Sequence, residues 1–212
     1  MLQVLEEESI LTNLLQASSR SHQHLCPRQV LGVRMGLYAG RLLDLTVPQK
    51  EKRIFTFIET DGCFLDGVAV STGCTVGART MRVFDFGKMA ATFIDRNTGT
   101  AMRIIPSLTA RELCVKYAGD ATDRWHIYLY GYQEMPEEEL FTAQPVVLSI
   151  SLAEIISRKD ARVICDVCGE EIFNEREIRI DGAVLCQTCA GHGYYTHSDQ
   201  LSSKNDSKLT KV

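Results

Sequence analysis

Residues 22–43 read HQHLCPRQVLGVRMGLYAGRLL, and they organise the larger, N-terminal part of the chain. Pro27 is well suited to the first position of a helix, because the N–H that proline lacks would be unpaired there in any case. The predicted helix runs to about Leu43. Along one of its faces a glycine recurs every four residues, at Gly32, Gly36 and Gly40. Glycines cost helix stability but let a neighbouring element approach closely, so this face is predicted to pack tightly on a sheet or on another helix.

Reactive side chains concentrate just before this helix, at His22, His24 and Cys26. In an extended segment the three side chains project to the same side, because strand side chains alternate between faces. Pro27 favours that geometry, since the residue before a proline avoids the helical region. Cys26 then lies at a helix N-terminus, where the helix dipole and free N–H groups stabilise a thiolate. It is therefore a candidate nucleophile or metal ligand.

Two further cysteines lie in unusual settings. Cys63 follows an Asp-Gly turn signal, and Cys74 lies in a glycine-flanked segment that is expected to form a loop. Together with Cys26 and one of the two histidines, Cys63 would form a sulfur and nitrogen site with an open position, suited to zinc or another soft transition metal. Spacing alone leaves open whether Cys63 and Cys74 converge on Cys26. Lys88 and Arg103 could bind an anion near such a pocket.

The rest of the N-terminal part mixes helical and strand patterns. The predicted elements are helices over residues 3–19 and Ser107–Tyr117, strands over Ile54–Glu59, Lys88–Asp95, Thr100–Ile105 and Val146–Ser151, and a segment of either type over Trp125–Tyr132. Because strands and helices mix without regular alternation, the main domain is predicted to be α+β with a mixed sheet.

A second group of cysteines lies near the C-terminus as two Cys-x-x-Cys pairs, Cys165 with Cys168 and Cys186 with Cys189. The residues between the pairs number 17, within the roughly 15–20 typical of a four-cysteine zinc module. Between them, Asp181-Gly182 marks the turn of a hairpin. Four thiolates leave no coordination position open, so we predict a structural zinc that supplies most of the folding free energy of this segment.

Composition limits the classes of function. The 212 residues carry 27 acidic and 23 basic side chains, a formal charge of −4, so nucleic acid is not the expected partner. Glutamates at 6–8 occupy the place where a secretory signal would be basic, and arginines interrupt the best candidate membrane span. We therefore expect a cytoplasmic protein without membrane contact, whose cysteines are thiols or metal ligands and not disulfides.

Three segments are predicted from these patterns. Residues 1–157 form the core domain and residues 158–196 form the four-cysteine zinc finger. Residues 197–212 are rich in Ser, Asp and Lys with few apolar side chains, which predicts a disordered tail.

The combination of several short motifs is specific, although each is weak alone. The motifs are His22-x-His24-x-Cys26-Pro27, Asp61-x-Cys63, Thr72-Gly73-Cys74-Thr75-x-Gly77, Asp85-Phe86-Gly87-Lys88 and Thr98-Gly99-x-Ala101-x-Arg103. Together they resemble the FmdE family of formylmethanofuran dehydrogenase over about residues 15–150. The C-terminal module is similar to the treble-clef finger that some members append. At positions 23 and 28 the family usually has glycine, where this chain has Gln23 and Arg28.

The resemblance implies an α+β core of thioredoxin-like type, with a mixed sheet flanked by helices, and a small treble-clef zinc finger. It implies that the active site is a metal-binding pocket around the His/Cys motif, with His22, His24, Cys26, Cys63 and Cys74 as its candidate residues. It also implies an association with molybdenum or tungsten formylmethanofuran dehydrogenase in anaerobic one-carbon metabolism such as methanogenesis. We accordingly expect a homo-oligomer, as a dimer, and assembly with dehydrogenase subunits.

Three hypotheses follow for the function. In the first, the protein is a metal-binding accessory or enzyme-like protein with a second metal ion in the pocket. In the second, it is a thiol-based oxidoreductase with Cys26 as nucleophile and Cys63 or Cys74 as the resolving partner. In the third, the zinc finger binds a protein or a nucleic acid and the core domain is inert.

Overall fold

The computed structural model describes residues 2–20, 22, 24–156 and 160–196. They form two compact units, the first ending at Leu148 and the second beginning at Ser149. The sequence placed the end of the core domain at residue 157, inside a short stretch outside the described residues, and the tail predicted over 197–212 also lies outside them. Within the described part, no helix combines the length and apolar character that crossing a membrane requires.

The first unit is built around one mixed sheet. Its helices are α1 (Leu2–Ser19), α2 (Pro27–Leu42), α3 (Cys63–Thr72), α4 (Ala110–Leu113), α5 (Arg124–Glu134) and α6 (Glu137–Leu140). Its strands are β1 (Ile54–Ile58), β2 (Met81–Val83), β3 (Ala91–Asp95), β4 (Ala101–Pro106) and β5 (Phe141–Pro145), in the spatial order β2-β1-β3-β4-β5. β1 and β2 run parallel through the α3 connection, and the other neighbouring pairs are antiparallel. The predicted α+β class is confirmed, and the thioredoxin-like core stays a prediction.

The core lies between the central strands and the long helices. Every residue of β1 and β3 is buried. One apolar cluster joins Ile54 and Ile58 of β1 to Val33 of α2 and Phe64 of α3. Fully burying an aliphatic or aromatic side chain stabilises a fold by about 1.5–3 kcal/mol, so this layer of helices on the sheet holds the unit together.

Helices α2 and α3 touch backbone to backbone at Gly32 and Gly67. A Cβ atom on Gly67 would lie 2.8 Å from the backbone nitrogen of Val33 and 3.0 Å from the Cα atom of Gly32. A Cβ atom on Gly32 would lie 2.9 Å from the backbone nitrogen of Val68. A side-chain carbon fits neither position unless its neighbour moves. The predicted close packing of the glycine face is confirmed, and its neighbour is a helix.

This crossing lies close to the N-terminal ends of both helices. Gly32 is the sixth residue of α2 and Gly67 the fifth of α3, so each lies within about 8 Å of its helix start at the usual rise per residue. Cys26 directly precedes α2, and Cys63 is the first residue of α3. The glycine contact therefore determines where both cysteines lie.

The structure corrects the predicted end of the sheet. The last strand is Phe141–Pro145, and not the predicted Val146–Ser151. β5 pairs with β4 from Phe141 to Pro145, and beyond that pairing Val147 is almost fully exposed. The apolar pattern of the predicted strand therefore did not reflect burial in the sheet.

Helical segments differ from the sequence prediction in three places. The predicted helix Ser107–Tyr117 consists of α4 followed by a 3₁₀ turn, Cys114–Tyr117. The ambiguous segment Trp125–Tyr132 is helical within α5, whose first turn is capped by Asp123. No helix was predicted for α3, because its β-branched residues and Gly67 lower helix propensity. Its packing on α2 overrides that local preference.

The second unit is small and consists mainly of hairpins. Its elements are α7 (Leu152–Ile156), β6 (Arg162–Ile164), β7 (Glu171–Phe173), β8 (Ile178–Ile180), β9 (Ala183–Leu185) and an irregular helical turn, Thr188–His192. β6 pairs with β7 and β8 with β9, both antiparallel. The hairpin turn predicted at Asp181-Gly182 is confirmed. The treble-clef arrangement stays a prediction.

Replacing Gly67 by alanine tests the helix crossing. We expect Gly67→Ala to lower the free energy of unfolding by about 2–3 kcal/mol, because the added methyl group forces the two backbones apart. Gly77→Ala is the matched control, since a Cβ atom there meets no atom within 4 Å. Denaturant unfolding of both variants measures the difference. Equal stability of the two variants would contradict the proposed role of the contact.

Candidate functional site

The four C-terminal cysteines lie together in the second unit. Ligand atoms of Cys165, Cys168, Cys186 and Cys189 all lie within 4.8 Å of one another. The sulfur atoms of Cys168 and Cys186 are 3.9 Å apart. In a regular tetrahedron with zinc–sulfur bonds of about 2.3 Å, the sulfur atoms are about 3.8 Å apart. The donor set and its spacing therefore fit a structural zinc ion.

Backbone N–H groups surround these sulfur atoms. Cys186 donates its N–H to the sulfur of Cys165, and Cys189 donates its N–H to the sulfur of Cys186, both at 3.3 Å. Backbone N–H groups of Cys168 and Cys186 lower the pKa of Cys165 to about 6. Gly169 has the positive φ, 72°, that the sequence predicts after the first pair. The local turns thus stabilise the Cys165 thiolate, whereas the neighbouring Cys186 thiol raises the pKa of Cys189 to about 12, so a zinc ion would have to displace that proton.

The first unit contains a separate cavity of about 1000 Å³. It opens where α2, α3 and α5 begin, and Cys26 and Cys63 both line it. Burial and the neighbouring Cys26 thiol raise the pKa of Cys63. Without a metal ion, Cys63 is therefore a weaker nucleophile at neutral pH than an isolated surface thiol.

A buried glutamine fixes the position of Cys26. The side-chain oxygen of Gln29 accepts the N–H of Cys26 at 2.8 Å, and its side-chain nitrogen donates to the carbonyl oxygen of Ser18 at 2.8 Å. Gln29 is fully buried. The link to α1 therefore holds the backbone of Cys26 in its extended conformation before Pro27, where φ is −116° and ψ is 157°.

The two histidines occupy different environments. His22 forms a 2.7 Å contact between its Nε2 atom and the carboxylate of Asp66, which lies one turn beyond Cys63 on α3. His24 is exposed, lines the cavity, and places its ring 5.7 Å from that of Trp125. The structure thus brings His24 to the cavity and keeps His22 beside α3.

Cys74 is not brought to this cavity. Its sulfur lies 3.4 Å from both the side-chain nitrogen of Gln49 and the carbonyl oxygen of Ile54. It follows the end of α3, about 15 Å along the helix axis from Cys63. Cys74 therefore has no direct contact with the pocket. Among the described residues, the finger cysteines are the one group with three or more ligand atoms so close together, and the cavity offers two adjacent thiols with a histidine on a separate segment.

The cavity wall is strongly basic. The predicted anion ligands Lys88 and Arg103 both line it, together with residues that sequence reasoning missed, namely Arg28, Arg111, Arg124, Trp125 and Tyr128. In the part of the chain that the structure describes, no Asp or Glu lines the cavity. Glu59, just behind the wall, accepts two hydrogen bonds from Arg103 at 2.6 and 2.8 Å. The missed arginines are scattered along the chain and look like ordinary surface residues, so no local signal marks them.

Helix α5 forms the wall opposite Cys26, and Arg34 ties it to α2. The guanidinium of Arg34 donates to the carbonyl oxygens of Tyr132 at 2.9 Å and Gln133 at 3.1 Å. These carbonyls belong to the last turn of α5, where no intrahelical partner is available. At the other end, Asp123 accepts the N–H groups of Trp125 and His126. Both ends of this wall are therefore held by specific hydrogen bonds.

Two family models match different parts of the chain. A family model described as "FmdE, Molybdenum formylmethanofuran dehydrogenase operon" matches residues 21–142, more than half of the chain. A second model, "Prokaryotic dksA/traR C4-type zinc finger", matches residues 159–192. The second match covers all four finger cysteines, so the predicted structural zinc site is confirmed.

Two individual proteins are also similar to this chain. The first, from Archaeoglobus fulgidus, is described as a "Probable S-adenosyl-L-methionine-binding protein"; it is 29% identical over 97% of this chain. The chain spans only 60% of that relative's length. The second is a crystal structure of a tungsten formylmethanofuran dehydrogenase FmdE-like protein from Syntrophus aciditrophicus. It covers 88% of this chain and 95% of its own, with a TM-score of 0.54 and 20% identity, which shows a common fold.

Removing one zinc ligand tests the finger. We expect Cys186→Ser to lose one zinc ion per chain relative to the wild type, and the strands β6–β9 to lose protection in hydrogen exchange, because this segment has little apolar core. Mass spectrometry of metal content and of exchange measures both. Cys114→Ala, a buried cysteine of the first unit, is the control and should change neither. Full protection of β6–β9 in Cys186→Ser would contradict a zinc-dependent fold.

Proposed function

The chain belongs to the FmdE family, and on that premise we propose that it is a metal-binding accessory or enzyme-like protein that holds a second, soft metal ion in the cavity of its core. The observation that carries this proposal is the meeting of Cys26 and Cys63. They are far apart in sequence, yet both lie at the starts of two crossing helices and line the same cavity.

Two adjacent thiols and a nearby histidine suit zinc or a related ion. Thiolate and imidazole ligands are preferred by soft and borderline metals. Cys26 and Cys63 would supply the sulfur ligands, and His22 or His24 a nitrogen ligand. The contact between His22 and Asp66 supports a role for His22, because a carboxylate commonly orients a metal-binding histidine through its other ring nitrogen. Three protein ligands leave one position open.

An open position on a bound ion would polarise an oxygen atom of a substrate or water molecule. The protein's own residues would position that molecule: the cavity faces the two thiols and is lined by basic and aromatic side chains. A role in anaerobic one-carbon metabolism is part of the proposal. It rests on the family description and on the name of the Syntrophus aciditrophicus protein. Assembly as a dimer or with dehydrogenase subunits in the cytoplasm belongs to the same proposal.

A thiol-based oxidoreductase is the second candidate, because adjacent thiols could also form a reversible disulfide. Cys63 would be the resolving partner of Cys26, since Cys74 lies outside the cavity. The raised pKa of Cys63 means that its thiol is largely protonated at neutral pH and not an activated thiolate. A bound metal ion would remove this obstacle, because it displaces the thiol proton when it coordinates the sulfur.

Metal analysis separates the two candidates. We expect two metal ions per purified chain, one in the finger and one in the cavity. Cys26→Ser and Cys63→Ser should each retain one, because each removes a cavity ligand. Cys74→Ala is the matched control, since it alters a buried cysteine next to the same helix, and it should retain two. Thermal unfolding confirms that each variant is folded.

A single metal ion per wild-type chain would contradict the proposed metal site in the cavity. A disulfide between Cys26 and Cys63 that forms on oxidation of this one-metal protein and reverses on reduction would then favour the oxidoreductase.

A further inference from the structure

The charge of the cavity is opposite to that of the chain as a whole. The full sequence has a formal charge of −4. The lining formed by the described residues contains no acidic side chain, yet it includes six side chains that are or can become cationic: His24, Arg28, Lys88, Arg103, Arg111 and Arg124. A concave wall of one sign focuses the electrostatic potential and concentrates ligands of the opposite sign.

Arg28 and Lys88 of this wall have no side-chain partner among the described residues. Neither side chain has an ion pair or a hydrogen bond to the described residues, and both are exposed. Arg103 differs, because Glu59 neutralises it. The backbone N–H of Lys88 donates to the carbonyl oxygen of Glu59 at 3.0 Å, so the segment that carries Lys88 is fixed at the rim while its ammonium group stays available to a ligand.

Helix geometry adds to this positive potential. The starts of α2, α3 and α5 all contribute lining residues: Cys26, Pro27 and Arg28, then Cys63, then Arg124 and Trp125. The N-terminal end of a helix carries a partial positive charge from its free N–H groups. Each of the three helices has at least ten residues. Their ends reinforce the charge of the side chains.

Aromatic side chains form one side of the same cavity. Trp125 is 44% exposed although it is a large apolar residue. It lies beside His24, and Tyr128 lies beneath the guanidinium of Arg124, 5.5 Å from the ring centre. An exposed indole in a cavity provides a face on which a planar ring can stack.

We propose that the cavity binds a small molecule that carries both a planar ring and an oxyanion, either phosphate or carboxylate. The ring stacks on Trp125, and the oxyanion binds to Arg28 and Lys88. This orientation places the ligand next to Cys26 and Cys63. This inference rests on the proposed function, because it names the substrate class of the proposed metal pocket. Anion binding itself does not require the metal ion.

This chemistry discriminates between ligands that share a ring. S-adenosyl-L-methionine, which figures in the description of the Archaeoglobus fulgidus relative, carries a carboxylate together with a sulfonium and an ammonium cation, so its net charge is positive. Among the described lining residues no carboxylate is present to pair with those cations. Adenosine monophosphate has the same adenosine group, and its phosphate is its only charged group at neutral pH. The pocket should therefore prefer the monophosphate.

Fluorescence of Trp125, the single tryptophan of the chain, provides a direct readout. Each probe is an anion that is compared with a neutral compound carrying a similar ring. The pairs are adenosine monophosphate with adenosine, phenyl phosphate with phenol, and benzenetricarboxylate with benzyl alcohol. We expect at least one anion to bind about tenfold more tightly than its neutral counterpart, with the preference weakening in high salt. Better binding of the phosphates than of the tricarboxylate assigns a phosphate ligand, and the reverse assigns a carboxylate.

Substitutions of lining residues test whether the anion binds at this wall of the cavity. Arg28→Gln combined with Lys88→Gln should weaken anion binding at least fivefold, whereas Lys116→Gln, an exposed lysine outside the cavity, should not. Cys26→Ser should lose the metal ion and keep the anion preference, so the two proposals fail separately. The inference is wrong if no anion binds better than its neutral counterpart, or if S-adenosyl-L-methionine binds better than adenosine monophosphate. It is also wrong if inorganic phosphate binds as tightly as phenyl phosphate, or if Lys116→Gln weakens anion binding as much as the double variant does.

Discussion

The contact between Gly32 and Gly67 is the constraint on which the candidate site depends. It lets two helix backbones approach to a distance that any side chain would prevent. Because the crossing lies near both helix starts, it brings Cys26 and Cys63 to the same cavity and directs two positive helix ends into it. Strands β1 and β2 pair in parallel, and α3 is the helix that connects them. The architecture of the core and the geometry of the pocket therefore have a common origin.

Local chemistry made some features predictable from sequence. The finger ligands lie within short turns whose geometry is encoded nearby, as Gly169 shows with its positive φ, so spacing alone identified all four. The helix that follows Pro27 was equally clear. By contrast, the sequence assigned Cys63 to the metal site but left open whether Cys63 and Cys74 converge on Cys26, and only the direction of α3 answers that question. That helix was not predicted, because its local propensity is poor and its stability comes from tertiary packing.

The basic wall of the cavity illustrates a second limit. Arg28, Arg111 and Arg124 belong to different helices, and each resembles a solvated surface arginine when the chain is read in order. Their significance arises because they converge on one cavity, in which none of the described lining residues is acidic. The two cysteine sites also differ in kind. The finger surrounds its metal with four sulfur ligands, whereas the core leaves two thiols facing a large cavity. The site that the sequence identified most surely is thus the one with less room for a substrate.

The hydrogen bonds of Arg34 have a consequence for how the pocket selects its contents. Helix α2 positions Cys26 at one end and, through Arg34, holds the carbonyl end of α5, the opposite wall. The two elements are thereby joined by hydrogen bonds that lie outside the cavity lining, because Arg34 is not among the described lining residues. The width available to a ligand between Cys26 and Trp125 therefore depends on a residue outside the cavity itself.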